Sequence, residues 1–160
     1  MLALLVTSSV ARADDSPYDF DLYDLSDRLV RLEPLRQQAK LLVVDFFSTT
    51  CKPCKKALPR WTKLYRRFGK TGLRVIIVAV PDGSSSRAES RTALERYFKA
   101  HPVPFPVVFD KYSLIAKRYK VARAGSFTLP QAFLLDAQGK LIRRGTKPAN
   151  LLPMMARYIR

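Results

Sequence analysis

The chain has 160 residues, 48% of them hydrophobic, and carries a formal net charge of +16 with two cysteines and one histidine. That length and apolar content suit one globular domain with a sizeable core, and they exclude a disordered or low-complexity chain. Three candidate ligands are too few for a tetrahedral Cys/His zinc site. No stretch is long and apolar enough to span a bilayer.

The positive charge bears on partners and not on fold. Basic pairs stand at Lys55-Lys56, Arg66-Arg67, Lys117-Arg118 and Arg143-Arg144, on different predicted elements and without aromatics interleaved on one face. No nucleic-acid-binding motif accompanies them. They read as a solvated surface with weak attraction for acidic proteins or anionic headgroups, and nucleic acid is not expected as a partner.

The first elements are read in chain order. Leu2 to Val6, followed by Ala11-Arg12-Ala13, has the form of a signal-peptide apolar region and an Ala-x-Ala cleavage site. Residues 1–13 are therefore expected to be a leader, and its missing basic region points to a start upstream of Met1. Tyr18 to Leu22 and Arg28 to Leu32 alternate apolar and polar residues around a polar turn and predict a hairpin. Glu33 to Gln38 is expected to form one or two helical turns. Leu41 to Phe47 is apolar on both faces apart from Asp45, the pattern of a central strand.

From Cys51 the period changes. Cys54, Leu58, Trp61, Leu64, Tyr65 and Phe68 share one helical face, with Lys55, Lys56, Arg60, Lys63 and Arg67 away from it and Gly69 as the expected end. Pro59 falls inside this helix, where a proline costs about 3 kcal/mol and implies a kink. Leu73 to Val80 predicts a second buried strand. Arg87 to Ala100 predicts a helix with Ala88, Leu94, Tyr97 and Phe98 inward. A short extended piece, Phe105 to Asp110, and a small helix, Ser113 to Tyr119, come next. Gln131 to Leu135 and Leu141 to Arg144 flank the turn Asp136-Ala137-Gln138-Gly139 as a second hairpin. Leu151 to Ile159 closes the chain as an amphipathic helix. The order argues an α/β sandwich with a mixed sheet.

The chemistry sits at Cys51-Lys52-Pro53-Cys54, where a buried strand hands over to a helix. A helix N-terminus favours thiolate over thiol, and a second thiol one turn away equips the pair to make or break a disulfide. A purely structural bridge closing so short a loop would remove little chain entropy. Asp45 is the one charge in a strand built for burial. Its carboxyl either lies buried beneath the cysteines with a raised pKa and takes the proton of Cys54, or it bonds to backbone or water at a ladder edge.

These residues resemble the thioredoxin fold, and within it the exported TlpA/ResA-like thiol-disulfide oxidoreductases. The resemblance rests on Val44-Asp45-Phe46-Phe47 leading into Cys51-Lys52-Pro53-Cys54, on Pro59, on the hairpin from Pro17 to Leu32, on Pro104 to Asp110, and on Leu129-Pro130 through Lys140. It covers residues 17–160 in order. It implies a thioredoxin-like fold, a mixed central sheet flanked by helices, with an N-terminal β-hairpin and an insertion before a cis-proline loop. Three positions depart from the family's usual pattern: Thr50 replaces an aromatic, Ala57 replaces a glutamate common in ResA-like proteins, and Asp45 stands where many relatives have Asn.

The resemblance further implies that Cys51 attacks, that Cys54 resolves the mixed disulfide, and that Lys52, Pro53, Leu129 and Pro130 contact the substrate. Pro130 is expected to be cis on this ground alone. The implied function is periplasmic reduction of client disulfides, such as the CxxCH cysteines of apocytochrome c or a cysteine copper site. Electrons would come from a membrane-embedded thiol donor, with no cofactor beyond the redox-active pair. Two alternatives use the same fold. A copper-delivery module ordinarily adds a distant His to a Cys-x-x-x-Cys pair. A peroxiredoxin-like peroxidase wants Thr where this chain has Ser48, with a preceding Pro that is absent.

Overall fold

A computed structural model describes residues 16–83 and 85–159. The leader expected over residues 1–13 lies outside the described residues. The hairpin near the start is shorter than its alternation suggests, β1 (Asp21–Tyr23) pairing antiparallel with β2 (Leu29–Arg31). The buried Asp24 closes its turn, accepting from the backbone N–H groups of Ser26 and Arg28 and from the Arg28 side chain. α1 (Leu32–Gln37) follows, and then β3 (Leu41–Phe47), in which every residue is buried.

α2 (Lys52–Phe68) continues through Pro59, which faces solvent. Gly69 ends α2 as expected, and with its backbone still right-handed it opens a 3₁₀ turn. The reversal comes at Gly72, with φ of 112° and with Lys40 closing the space a Cβ would need. β4 (Leu73–Ala79), α3 (Arg87–Ala100), β5 (Val107–Phe109) and α4 (Leu114–Arg118) come next. A two-residue ladder absent from the sequence reading, β6 (Ala122–Arg123) with β7 (Ser126–Phe127), precedes β8 (Gln131–Asp136), β9 (Leu141–Gly145) and α5 (Pro148–Tyr158).

The five-stranded sheet runs β5-β4-β3-β8-β9, with β4 parallel to both β3 and β5, and β8 antiparallel to β3 and β9. This is the mixed sheet between helices that the sequence implies. Alternation along β3 divides two cores. Leu41, Val43 and Phe47 pack with Cys54, Leu58 and Trp61 of α2, with Leu94 and Phe98 of α3, and with Leu151 and Met155 of α5. Leu42, Val44 and Phe46 pack on the other face with Leu32, Ile115 and Tyr119.

Two side-chain orientations expected from the helical faces are corrected. Ala88 is exposed and Ser90 is the buried residue of that turn, its hydroxyl accepting from the Asp82 N–H at 3.1 Å. Lys55 does not point away from the core but lies half-buried over the Tyr97 ring, 5.1 Å from its centroid. A second cation also departs from the solvated-surface reading. Arg36 is wholly buried, paired with Asp19 at 2.8 Å and donating to the Ala137 carbonyl at 2.7 Å. It joins the N-terminal segment to the β8–β9 turn.

Candidate active site

Strand β3 runs out at Phe47 and delivers the chain to the N-terminus of α2. Cys51 is the N-cap of that helix, and its Sγ accepts from the Cys54 N–H at 3.2 Å. The geometry follows from the sequence, since Pro53 falls in the first turn, where a missing N–H leaves no helical bond unmade. No carboxylate stands in the first turn of α2, so the positive end of the helix is left to the sulfur. Cys51 and Cys54 are joined in a disulfide. Cys51 is half-buried and Cys54 is wholly buried.

Lys52 and Pro53 are exposed on the first turn. Leu129 and Pro130 stand across from them, joined by a cis peptide bond. Cys51, Lys52, Pro53 and Leu129 together line one cleft of about 560 Å³, with Thr50 and Phe127 on its walls. The structure thus brings together, in one place, residues some eighty positions apart in the chain.

Asp45 occupies the middle of the sheet, between Ile77 of β4 and Ala132 of β8. It is 2% exposed and, as an odd-numbered residue of β3, projects to the face that holds Cys54 and Trp61. This removes the ladder-edge alternative. Burial pushes its carboxyl up to about 8, and the Trp61 indole only partly opposes that shift. The indole is close without reaching hydrogen-bond geometry. Asp45 Oδ2 and Trp61 Nε1 are the two buried side-chain polar atoms without a partner among the described residues.

One functional element escaped the sequence reading. The loop before Cys51 is held by Asp82, which lies after β4. Its Oδ1 accepts from Ser48 Oγ at 2.7 Å and from Thr50 Oγ1 at 3.3 Å, and its Oδ2 accepts from Thr49 Oγ1. The Cys51 N–H in turn donates to the Ser48 carbonyl at 3.1 Å. Burial acts to raise the Asp82 pKa, but the hydrogen bonds from Thr49, Ser48 and Thr50 outweigh it and hold the carboxyl below its usual range. The run Ser48-Thr49-Thr50 was the available signal, but nothing in the sequence pairs it with an aspartate over thirty residues away.

His101 ends α3, its Nδ1 3.0 Å from the Tyr97 carbonyl and its ring stacked on Tyr97, which fits a helix-terminal role. Among the described residues, no three His, Cys, Asp or Glu side chains gather to hold a metal ion.

The AhpC/TSA family matches residues 13–144. The chain belongs to that family. It is 30% identical to the thiol-disulfide oxidoreductase ResA of Bacillus subtilis over 84% of this chain and 67% of that protein. It is 31% identical to the ResA of Geobacillus thermodenitrificans over 84% of this chain and 68% of the other. The match therefore spans about two thirds of those relatives' own length. A structure from Chlorobium tepidum, provisionally assigned as a thiol:disulfide interchange protein DsbE, superposes with a TM-score of 0.71 at 24% identity, covering 92% of this chain and 97% of that one. The protein is a thiol-disulfide oxidoreductase of the thioredoxin-like fold, with Cys51 and Cys54 as its CxxC pair.

Proposed function

We propose that the protein is an exported, periplasmic reductase of client-protein disulfides. The observation that carries this reading is the asymmetry of the pair. Cys51 is reachable at a helix N-terminus, whereas Cys54 is sealed in an interior it shares with the Asp45 carboxyl. In the reduced protein, the Cys51 thiolate attacks one sulfur of the client disulfide, forming a mixed disulfide and expelling the client's other sulfur as a thiolate. In the molecules whose Asp45 carboxyl is ionised, a fraction that grows as pH nears 8, it takes the proton of Cys54. The Cys54 thiolate then attacks Cys51 Sγ, which re-forms the Cys51–Cys54 disulfide and releases the client's second thiolate. Two electrons have passed to the client. A membrane-embedded dithiol donor restores the pair.

Lys52, Pro53, Leu129 and Pro130 serve as the client's contact surface, because they line the cleft or abut the cis bond beside Cys51. A client carrying CxxC or CxxCH, in cytochrome c maturation or copper-site assembly, fits a cleft open enough for an extended chain.

Direction follows from the interior. Lys52 and Lys56 are exposed and screened, whereas Cys54 and Asp45 share a low-dielectric interior that disfavours negative charge on either. The disulfide is therefore comparatively stable and the dithiol reducing. Equilibration with a glutathione buffer, read by Trp61 fluorescence, tests this. A potential near thioredoxin's, about −270 mV, is expected; one near the strong oxidants, about −120 mV, would refute the reductase direction.

A further inference from the structure

The cleft at Cys51 does not end at its rim. Pro81, Gly83, Gly125 and Phe127 wall it and also wall a second groove, of about 670 Å³, that continues away from the sulfurs. Four cations line this second groove: Arg87 on α3, Lys111 and Lys117 on either side of the α4 N-terminus, and Arg123 on β6. All four are exposed, and none is ion-paired to a carboxylate among the described residues. Arg87 and Lys111 both lie over the Tyr112 ring, 4.9 Å from its centroid. These contacts hold the two charged heads beside the groove.

The groove's one carboxylate is Asp82, and both its oxygens are already occupied by the hydroxyls of Ser48, Thr49 and Thr50. Glu89, one turn into α3, is likewise engaged, accepting from the Ser86 N–H at 2.8 Å. Arg87 stands at the first position of α3, where the helix's own positive end disfavours a cation. The result is a continuous channel that starts at the reactive sulfur and becomes strongly electropositive a few residues' reach away.

We infer that this channel selects disulfide clients that carry carboxylates a few residues from the reactive cysteine, in an extended segment seated between α3, α4 and the β6–β7 turn. The inference rests on the client-reductase reading above and names the substrate class for that site. Complementary charge chooses the register and speeds encounter, while the chemistry remains that of the cysteines. Each exposed ion pair contributes a factor of about three, so two carboxylates together give a preference of about tenfold.

The probe is a synthetic peptide carrying its single cysteine as a mixed disulfide with thionitrobenzoate, whose release is coloured. Two Glu, two Gln or two Lys are placed about three to five residues from the cysteine, an extended reach of roughly 10–17 Å, on one side and then on the other. With pre-reduced protein in single turnover at low ionic strength, the second-order rate constant for thionitrobenzoate release is expected to be about tenfold higher for the Glu peptide than for the Gln peptide on one of the two sides. The ratio should collapse in high salt. It should fall toward one in Arg87→Gln/Lys117→Gln, and also in Lys111→Gln/Arg123→Gln should the first pair misfold. It should persist in Lys63→Gln/Arg66→Gln, which removes the same charge from a different surface. Equal rates for Glu and Gln peptides on both sides would overturn the inference alone. So would equal loss of the ratio in the Lys63/Arg66 variant, which would make it an effect of net charge. No reduction of the Gln peptide would instead overturn the reductase reading beneath it.

Discussion

The backbone N–H of Cys54 points at the sulfur of Cys51, 3.2 Å away, so Cys51 caps the helical turn that carries Cys54. The bond places a donor and the positive end of a seventeen-residue helix on the first sulfur while the second is sealed. Cys51→Ser is expected to abolish disulfide reduction, whereas Cys54→Ser should accumulate mixed disulfides through Cys51. Iodoacetamide labelling of the reduced protein near neutral pH should favour Cys51, and faster labelling of Cys54 would reverse the two roles.

Asp45 should make stability depend on pH. Its folded pKa, about 8, lies above the unfolded value near 3.9, so between these limits the native state holds a proton that the unfolded state has released. The resulting stabilisation is complete below the unfolded pKa and is lost progressively as pH rises through the folded one. Asp45→Asn cannot ionise. Its stability relative to wild type should therefore grow across this window by up to about 1.4 kcal/mol per pH unit, and level off above it. Urea titrations of both oxidised proteins at several pH values check this. In kinetics, the same variant should slow release of the client more than initial attack.

Asp82→Asn should loosen the segment ahead of the disulfide. A carboxylate accepting from three hydroxyls is replaced by an amide with one acceptor oxygen, and the expected cost is about 2 kcal/mol at neutral pH. Because the native carboxyl is depressed, the wild type's advantage holds above the unfolded pKa and is lost as pH falls through the folded value. Denaturation at pH 7 and at strongly acid pH should show the difference only in the first.

Arg36→Met removes one partner of a pair in which the guanidinium is wholly buried and leaves Asp19 uncompensated. A loss of about 3 kcal/mol is expected in thermal or urea unfolding. The rate of Cys51 alkylation should not change, because Arg36 packs at the other end of the sheet. A stability effect within a few tenths of a kcal/mol would show that Asp19 rehydrates freely.

The sequence was most legible where one physical signal dominated. The seven-residue strand β3, apolar apart from Asp45, and the amphipathic stretch of α3 have the bounds their patterning indicates. The cysteine pair was readable because its function is local, one helical turn long. What escaped is long-range and polar. Arg36 resembles any surface cation until Asp19 and the Ala137 carbonyl are brought to it. Asp82 reads as a turn residue until β3 and β4, lying parallel in the sheet, set their C-terminal loops side by side. Lys55 has the spacing of a solvent-facing residue, but the face of the Tyr97 ring of α3 attracts its ammonium. The convergence of scattered lysines and arginines on one groove is equally a product of tertiary placement.

The contact between Ser16 and the β8–β9 turn sets an orientation. Ser16 Oγ donates to the Gly139 carbonyl at 2.6 Å, and Gly139 has φ of 74° with no room for a side chain beneath Ser16. That turn caps the end of the sheet where β3 begins, since Leu41 pairs with Asp136, whereas the disulfide lies past the end where β3 finishes. The two ends are separated by a seven-residue strand, roughly 20 Å. Ser16 therefore stands at the pole opposite the sulfurs. A tether attached there would present the reactive face outward, with the full length of the domain as its standoff.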